Sequence, residues 1–280
     1  MTIASNLGYP SIGPRRELKT ALEAFWAGQA AEAELMAMAR ALRAGGRTLQ
    51  QGSGISHIPS ADFALYDHVL ETACAFGAIP NGYGWHGEGP ASLATLFALA
   101  RGARGTEAER AAGIAPDAAA LEMTKWFDTN YHYLVPRLSA RTRFRLVDDR
   151  WAGAVREGLQ HGTRTRPVLL GPMTLLLLSK ADDGTRPLDL LPSLLPAYAE
   201  ALRSMAEASA AWVQLDEPCP RHRSAGRRRG GLPDSHLRVG GRGARPRPPA
   251  GALLRRVARQ PRPRRRAARR GAAPRPGARA

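Results

Sequence analysis

Lysine is scarce in this 280-residue chain: of 41 basic residues only Lys19, Lys125 and Lys180 are lysines. Where arginine is otherwise the rule, each is a candidate for a role suited to a compact ammonium. Cysteine is scarcer still. Cys74 and Cys219 stand far apart with no CxxC pair, which excludes a disulfide framework and a cysteine-rich zinc site and fits a reducing cytoplasm. The apolar stretch from Met173 to Ser179 is too short to span a bilayer, and the first residues lack the basic start and apolar run of a signal peptide. A soluble, cytoplasmic protein without membrane contact is expected. There is no GxSxG elbow and no GxxxxGK[ST] phosphate loop, so hydrolase and nucleoside-triphosphatase readings lack their anchor. The segment Gly82 to Gly87 matches GxGxxG by letter, but it follows Pro80 rather than a strand and opens no helix. His57, His68 and His132 are not at HExxH spacing, and each reads as a structural histidine.

Aromatic residues are missing from the last 60 positions, since all 17 lie before Arg221. Those 60 positions hold 20 of the arginines and one acid, Asp234, whereas residues 1–220 carry 21 basic and 23 acidic side chains. The net charge of +17 therefore belongs to the tail alone. Arg, Gly, Pro and Ala make up 48 of its residues, too little apolar surface to offset the entropy of ordering. Residues 221–280 are accordingly read as a disordered basic tail. All four residue types belong to G/C-rich codon families and the change at Pro220 is abrupt, so a shifted reading frame is the favoured origin. Binding of nucleic acid through this tail would be non-specific and steeply salt-dependent, and without aromatics it could not stack on bases.

What is present in residues 1–220 is a rhythm of short apolar runs and longer stretches of helical period. A first helix with Pro14 in its first turn buries Leu18, Leu22, Phe25 and Trp26, and a second runs from about Ala31 to Ala44. A strand over 54–59 precedes a helix from about Asp62 to Phe76 with Asp62 as its cap, and another helix spans 92–101. The later half repeats the pattern: a helix over 151–160, a buried strand over 166–172, a leucine-rich helix, a linker at 182–186, a long helix over 188–208, and a strand over 211–218. Asp216 and Glu217 stand at that last strand's C-terminal end, their roles open. Such alternation predicts an α/β fold with a parallel sheet, either a (β/α)8 barrel or a doubly wound sheet.

Two segments stand out chemically. Arg15, Arg16 and Lys19 occupy the start of the first helix, where the macrodipole is positive and cations are mildly disfavoured. They form either a solvated basic face or, with the free N–H groups, a site for a polyanion. Lys125 lies within the segment Glu122 to Tyr133, dense in aromatics and hydrogen-bonding groups, which is either the floor of a ligand pocket or an aromatic cluster stapling a loop to the core.

The motifs Leu7-Gly8-Tyr9-Pro10, Arg16-Glu17-Leu18-Lys19, Asp62-Phe63, Tyr66-Asp67-His68-Val69-Leu70, Glu122 to Tyr133, Leu170-Gly171-Pro172 and Gln214-Leu215-Asp216-Glu217-Pro218 are collinear over residues 1–220. Together they resemble the N-terminal domain of cobalamin-independent methionine synthase. The resemblance implies a methyltransferase that moves a methyl group from 5-methyltetrahydropteroyltriglutamate to homocysteine, built from two facing (β/α)8 barrels. Zinc on the C-terminal barrel would hold homocysteine as thiolate. The family's contacts to the folate tail fall on Arg16, Glu17, Leu18, Lys19 and Lys125, and no catalytic or metal-binding residue is expected in this chain.

Three departures accompany it. Ser11 stands where the family has Arg, Gly45-Gly46-Arg47 replaces a segment that normally carries Asn-Trp, and the resemblance ends after Pro220. The expectation is an incomplete barrel of TIM type over 1–220, followed by an out-of-frame tail and inactive by itself. The alternatives are another barrel enzyme of similar architecture or a non-specific nucleic-acid binder.

Overall fold

Leu18 and Leu22, one turn apart, are buried on the first helix, as the spacing of apolar residues requires, but the helix begins later than the sequence suggests. The computed structural model describes residues 3–127 and 129–218 and the backbone of a strand at 235–238. The elements of its first half are α1 (Glu17–Trp26), α2 (Glu32–Gly52), β1 (Ile58–Ser60), α3 (His68–Ala75), α4 (Leu93–Arg101), α5 (Glu107–Ala111), β2 (Met123–Lys125), β3 (His132–Leu134) and β4 (Arg137–Leu138). Then come α6 (Arg150–Gln160), β5 (Thr165–Leu170), α7 (Pro172–Leu177), β6 (Lys180–Ala181), a 3-10 turn at Pro187–Leu190, α8 (Leu191–Glu207), β7 (Trp212–Asp216) and β8 (Ser235–Arg238).

Strands β1, β5 and β7 lie side by side and parallel, in chain order, with Ser60 opposite Pro167 and Leu170 opposite Asp216. Their C-terminal ends therefore lie together at one edge of the sheet. A second parallel pair, β4 with β6, and an antiparallel hairpin, β2 with β3, stand apart from this sheet. The α/β class with parallel strands is as expected.

Within the tail read as disordered, the backbone of Ser235–Arg238 pairs antiparallel with β7, Trp212 opposite Arg238 and Leu215 opposite Ser235, and so supplies ladder bonds to the side of β7 away from β5. The rest of the predicted disordered tail lies outside the described residues.

The main core is the layer between the sheet and the helices α6 and α8. Leu169, Val213 and Leu215 pack with Trp151, Val155, Leu194, Ala201 and Met205. Phe76 stacks on both Trp151 and Tyr198, with ring centres 5.2 and 4.3 Å apart. Burying each of these large side chains contributes on the order of 2–3 kcal/mol. A second cluster joins α3 and α4 to the hairpin through Leu70, Leu96, Leu99 and Leu134. The third seats α1 on α2 and α4 through Leu18, Leu22, Leu35 and Phe97, with Trp26 edge-on to Phe97.

Several predicted boundaries shift for identifiable reasons. Pro14 lies in a turn before α1 rather than inside it. The helix α2 runs on through Gly45 and Gly46 to Gly52, because tertiary contacts hold it: Arg47 pairs with Glu157 of α6, and the Tyr9 ring lies against Gly46, where a Cβ would come within 3.0 Å of it. Asp62 is not the cap of α3. That helix starts six residues later, where Asp67 accepts from Leu70 N at 2.9 Å, while Asp62 accepts instead from Tyr9 N at 2.7 Å. The leucine-rich helix α7 is only six residues long.

Candidate functional site

Arg16 occupies the N-cap position of α1 with φ 63°, a left-handed conformation that costs a non-glycine residue about 1 kcal/mol. The turn is tied from two sides. Arg16 N donates to Gly13 O at 3.0 Å, and the Glu17 carboxylate folds back to accept from Arg15 N at 2.9 Å and Arg15 Nε at 3.1 Å. Backbone N–H bonds from Glu17 itself and from Arg15 hold the Glu17 carboxyl below the ordinary range. Gly13 is needed here, since its φ is 82° and a Cβ would lie 2.3 Å from Glu17 Oε2.

The four predicted residues of this segment thus divide by role. Glu17 braces the turn and Leu18 is a buried anchor. Arg16 and Lys19 are exposed cations, Lys19 paired one turn on with Glu23. The expectation that Arg15 and Arg16 sit in the first helical turn is corrected, because both precede it.

Lys125 ends β2, opposite His132 of β3, and is exposed. The loop between the strands closes through Trp126 N to Tyr131 O at 2.8 Å and Thr129 Oγ1 to Trp126 O at 2.6 Å. The aromatics of the segment do staple it to the body. The Trp126 ring is edge-on to His68 at 4.8 Å and to Tyr133 at 6.1 Å, and the Tyr133 hydroxyl donates to Leu178 O at 3.2 Å.

Beneath them the buried Asp67 carboxylate accepts from Leu70 N, from Leu134 N at 3.2 Å and from the Tyr131 hydroxyl at 3.0 Å. Burial raises the Asp67 carboxyl and lowers the His68 imidazole, the nearby opposite charge working against each shift. Burial, and then the Asp67 charge, push the Tyr131 hydroxyl well up. The two predicted segments lie on different elements, Arg16 and Lys19 at the start of α1 and Lys125 at the end of β2. Lys180, the third lysine, holds both oxygens of Glu122 at 2.7 Å and ties β6 to the residue before β2.

At the C-terminal ends of the parallel strands a different set of charges collects. Leu7 and Gly8 cross these ends, held by Gln214 Nε2 to Leu7 O at 3.1 Å, and a cavity of about 290 Å³ opens between them, Asp62, His68, Arg150 and Asp216. Gln214 also donates to Asp216 Oδ1 at 2.8 Å. Glu217 turns back over Gly171 and accepts from Met173 N, Thr174 N and Thr174 Oγ1, which makes it the cap of α7. A larger cavity of about 560 Å³ between α2, α3 and α6 contains the ion pair of Arg150 with Glu71 at 2.5 Å, beside Asp148 and Cys74. Sequence reasoning missed this pair. The available signal was Glu71, a lone acid inside the apolar run from Val69 to Phe76, which needs a buried partner.

No three His, Cys, Asp or Glu side chains among the described residues come together as a metal site, and no described helix is long and apolar enough to cross a membrane. The arginine-rich segment invoked for nucleic-acid binding falls, apart from the backbone of 235–238, outside the described residues.

Comparison with known proteins adds the following. The description "Cobalamin-independent synthase, N-terminal domain" matches residues 3–224. A protein of Acidiphilium cryptum (strain JF-5) named 5-methyltetrahydropteroyltriglutamate–homocysteine methyltransferase is 61% identical over 218 residues, covering 78% of this chain and 27% of that protein. Proteins of the same name from Caulobacter vibrioides (strain ATCC 19089 / CIP 103742 / CB 15) and Rhodopseudomonas palustris (strain ATCC BAA-98 / CGA009) are 53% and 54% identical over 227 and 226 residues. These matches cover 78% and 76% of this chain but only 29% and 28% of those proteins. The chain thus spans less than a third of the length of the relatives it matches.

Proposed function

The chain belongs to the family of cobalamin-independent synthase N-terminal domains, and on that premise we propose that residues 1–220 form the folate-binding first part of a 5-methyltetrahydropteroyltriglutamate–homocysteine methyltransferase. Their own task is to hold the oligoglutamate tail of the methyl donor. The observation that carries this reading is the family match over residues 3–224 together with the 61% identity over 218 residues to a relative named for a triglutamate folate. The exposed cations Arg16, Lys19 and Lys125 support it, because a γ-linked glutamate tail is a flexible polyanion that pairs with well-spaced cations.

The strands β1, β5 and β7 are read as the first three neighbours of a (β/α)8 barrel. Their spatial order follows the chain without the reversal that marks a doubly wound sheet.

In this reading Arg16, exposed at the left-handed cap of α1, offers its guanidinium to the tail, while the Glu17 carboxylate fixes the turn by holding Arg15. Lys19 exchanges its Glu23 partner for a tail carboxylate, and Lys125 meets another carboxylate farther along the tail. Fixing the tail orients the donor and reduces the freedom lost when the methyl group meets its acceptor. Zinc, when bound in the relatives, would keep the homocysteine sulfur as thiolate. The described residues here do not fit that ion: no ligand set converges, and burial drives the Cys74 thiol well up, away from the thiolate form.

The test is a calorimetric titration of the 280-residue chain with 5-methyltetrahydrofolate in mono- and triglutamate forms. The triglutamate should bind more tightly. Lys19→Met or Lys125→Met should weaken it by about 1 kcal/mol or more while sparing the monoglutamate, as expected for charge-assisted pairs. Equal affinity for the two forms, or equal losses in both, would overturn the assignment.

A further inference from the structure

Lys125 sits on a hairpin whose partner strand and loop are fastened to the rest of the molecule by one buried carboxylate. Asp67, only 2% exposed, accepts three hydrogen bonds from three places: Leu70 N at the start of α3, Leu134 N on β3, and the Tyr131 hydroxyl in the loop between β2 and β3. The Tyr131 bond is 3.0 Å long and joins residues 64 positions apart. Tyr131 is itself tied to the residue after Lys125, its carbonyl accepting from Trp126 N at 2.8 Å. The ring of His68, adjacent to Asp67, lies against both Trp126 and Tyr131. The path from α3 to Lys125 is therefore short and made of directional contacts: Asp67, Tyr131, Trp126, Lys125.

We propose that Asp67 and Tyr131 are positioning residues for Lys125, a clasp that holds the hairpin loop on α3 so that the ammonium is presented in one place to an anionic tail. This rests on the reading of Lys125 as a contact to the oligoglutamate. A lysine side chain has four rotatable bonds, so a fixed backbone is what allows it to favour one carboxylate of a flexible chain. Tyr131 is 45% exposed, which is unusual for a ring so fully engaged at its hydroxyl. Its value lies in the hydroxyl bond rather than in burial of the ring.

The test uses the 280-residue chain and the two folates above, comparing Tyr131→Phe with Lys125→Met. Tyr131→Phe keeps the ring and removes only the hydroxyl, so the fold should survive. It should weaken the triglutamate about three- to tenfold, the size of an ordinary hydrogen bond's net contribution, and leave the monoglutamate within twofold. Amide hydrogen exchange over residues 126–132 should quicken in the variant, with α4 unchanged. If Lys125→Met selectively weakens the triglutamate and Tyr131→Phe does not, the clasp is overturned and the tail reading stands. If Lys125→Met shows no selectivity, the tail reading fails and this proposal fails with it. Unchanged exchange over 126–132 in Tyr131→Phe would reject the clasp whatever the titrations show. Asp67→Asn is the second variant, and it should lower the triglutamate affinity in the same selective way, with some loss of thermal stability because Asp67 also caps α3.

Discussion

The Glu217 carboxylate lies over Gly171 and accepts from Thr174 Oγ1 at 2.6 Å, so the residue after β7 caps the helix that follows β5. Two neighbouring crossover units are thereby joined at the C-terminal ends of their strands. A Cβ on Gly171 would fall 2.0 Å from Glu217 Cδ, and since that carbon cannot remain in place, the cap must open. Gly171→Ala should destabilise the chain by about 1–3 kcal/mol, the range for overpacking a filled site. Thermal melts would check this. A midpoint equal to wild type would show that Glu217 can move aside freely.

Glu157 stands between two guanidiniums. It accepts from Arg47 at 2.8 Å and pairs with Arg43 at 2.9 Å, and Arg47 is almost wholly buried. Burial works against its charge, but the bonds and charges of the two arginines outweigh this and hold the carboxyl below its ordinary value. A carboxyl lowered in the folded state stabilises the fold at pH above its unfolded pKa and loses that contribution as pH falls through the folded value. Stability should therefore decline below about pH 4.5 in wild type, near the ordinary glutamate value, and Glu157→Gln should flatten part of that decline. At pH 7 the same variant should lose about 2–3 kcal/mol, because it leaves Arg47 buried without its counter-charge. A wild-type acid limb in the variant would refute the assignment.

Arg16 sets stability against binding. Glycine enters the left-handed region without strain, so Arg16→Gly should relieve the cap while removing the cation. Its melting temperature should be equal to or above that of Arg16→Ala, and both variants should bind the triglutamate folate less tightly than wild type. Lower stability for the glycine variant would mean that the φ of 63° carries no strain.

Two truncations separate the charge of the tail from its one described strand. Removing residues 239–280 takes away 14 of the tail's 20 arginines and spares β8. Retention of the protein at low salt on a heparin or DNA column should fall sharply while the melting temperature stays constant. Removing 221–280 also strips β8 from the edge of β7 and should lower the melting temperature and promote association. Identical melts for the two truncations would show that the pairing of Leu215 with Ser235 adds nothing to stability.

Much of this protein was legible in the chain because its signals are local. The apolar spacing that makes α1, α4, α6 and α8, the apolar runs of β5 and β7, and the partition of charge at Pro220 all depend on neighbours within a turn or two. Family motifs, too, are strings of adjacent residues, so the segments Arg16 to Lys19 and Glu122 to Tyr133 stood out at once. Tertiary structure decided which member of each string does what. The sequence points to Asp62 as the cap of α3, whereas in the fold Asp62 is taken by Tyr9 N and the bond from Leu70 N makes Asp67 the cap. Lys180 and Lys125 are alike until Glu122 is seen to take the first. Glu217, Glu157 and Glu71 acquire their meaning from partners tens of residues or more away. Helical and strand periodicity follow from the geometry of a single backbone. The partner of a buried charge is chosen by whichever opposite group the packed layers bring within reach, and no short window of sequence contains that choice.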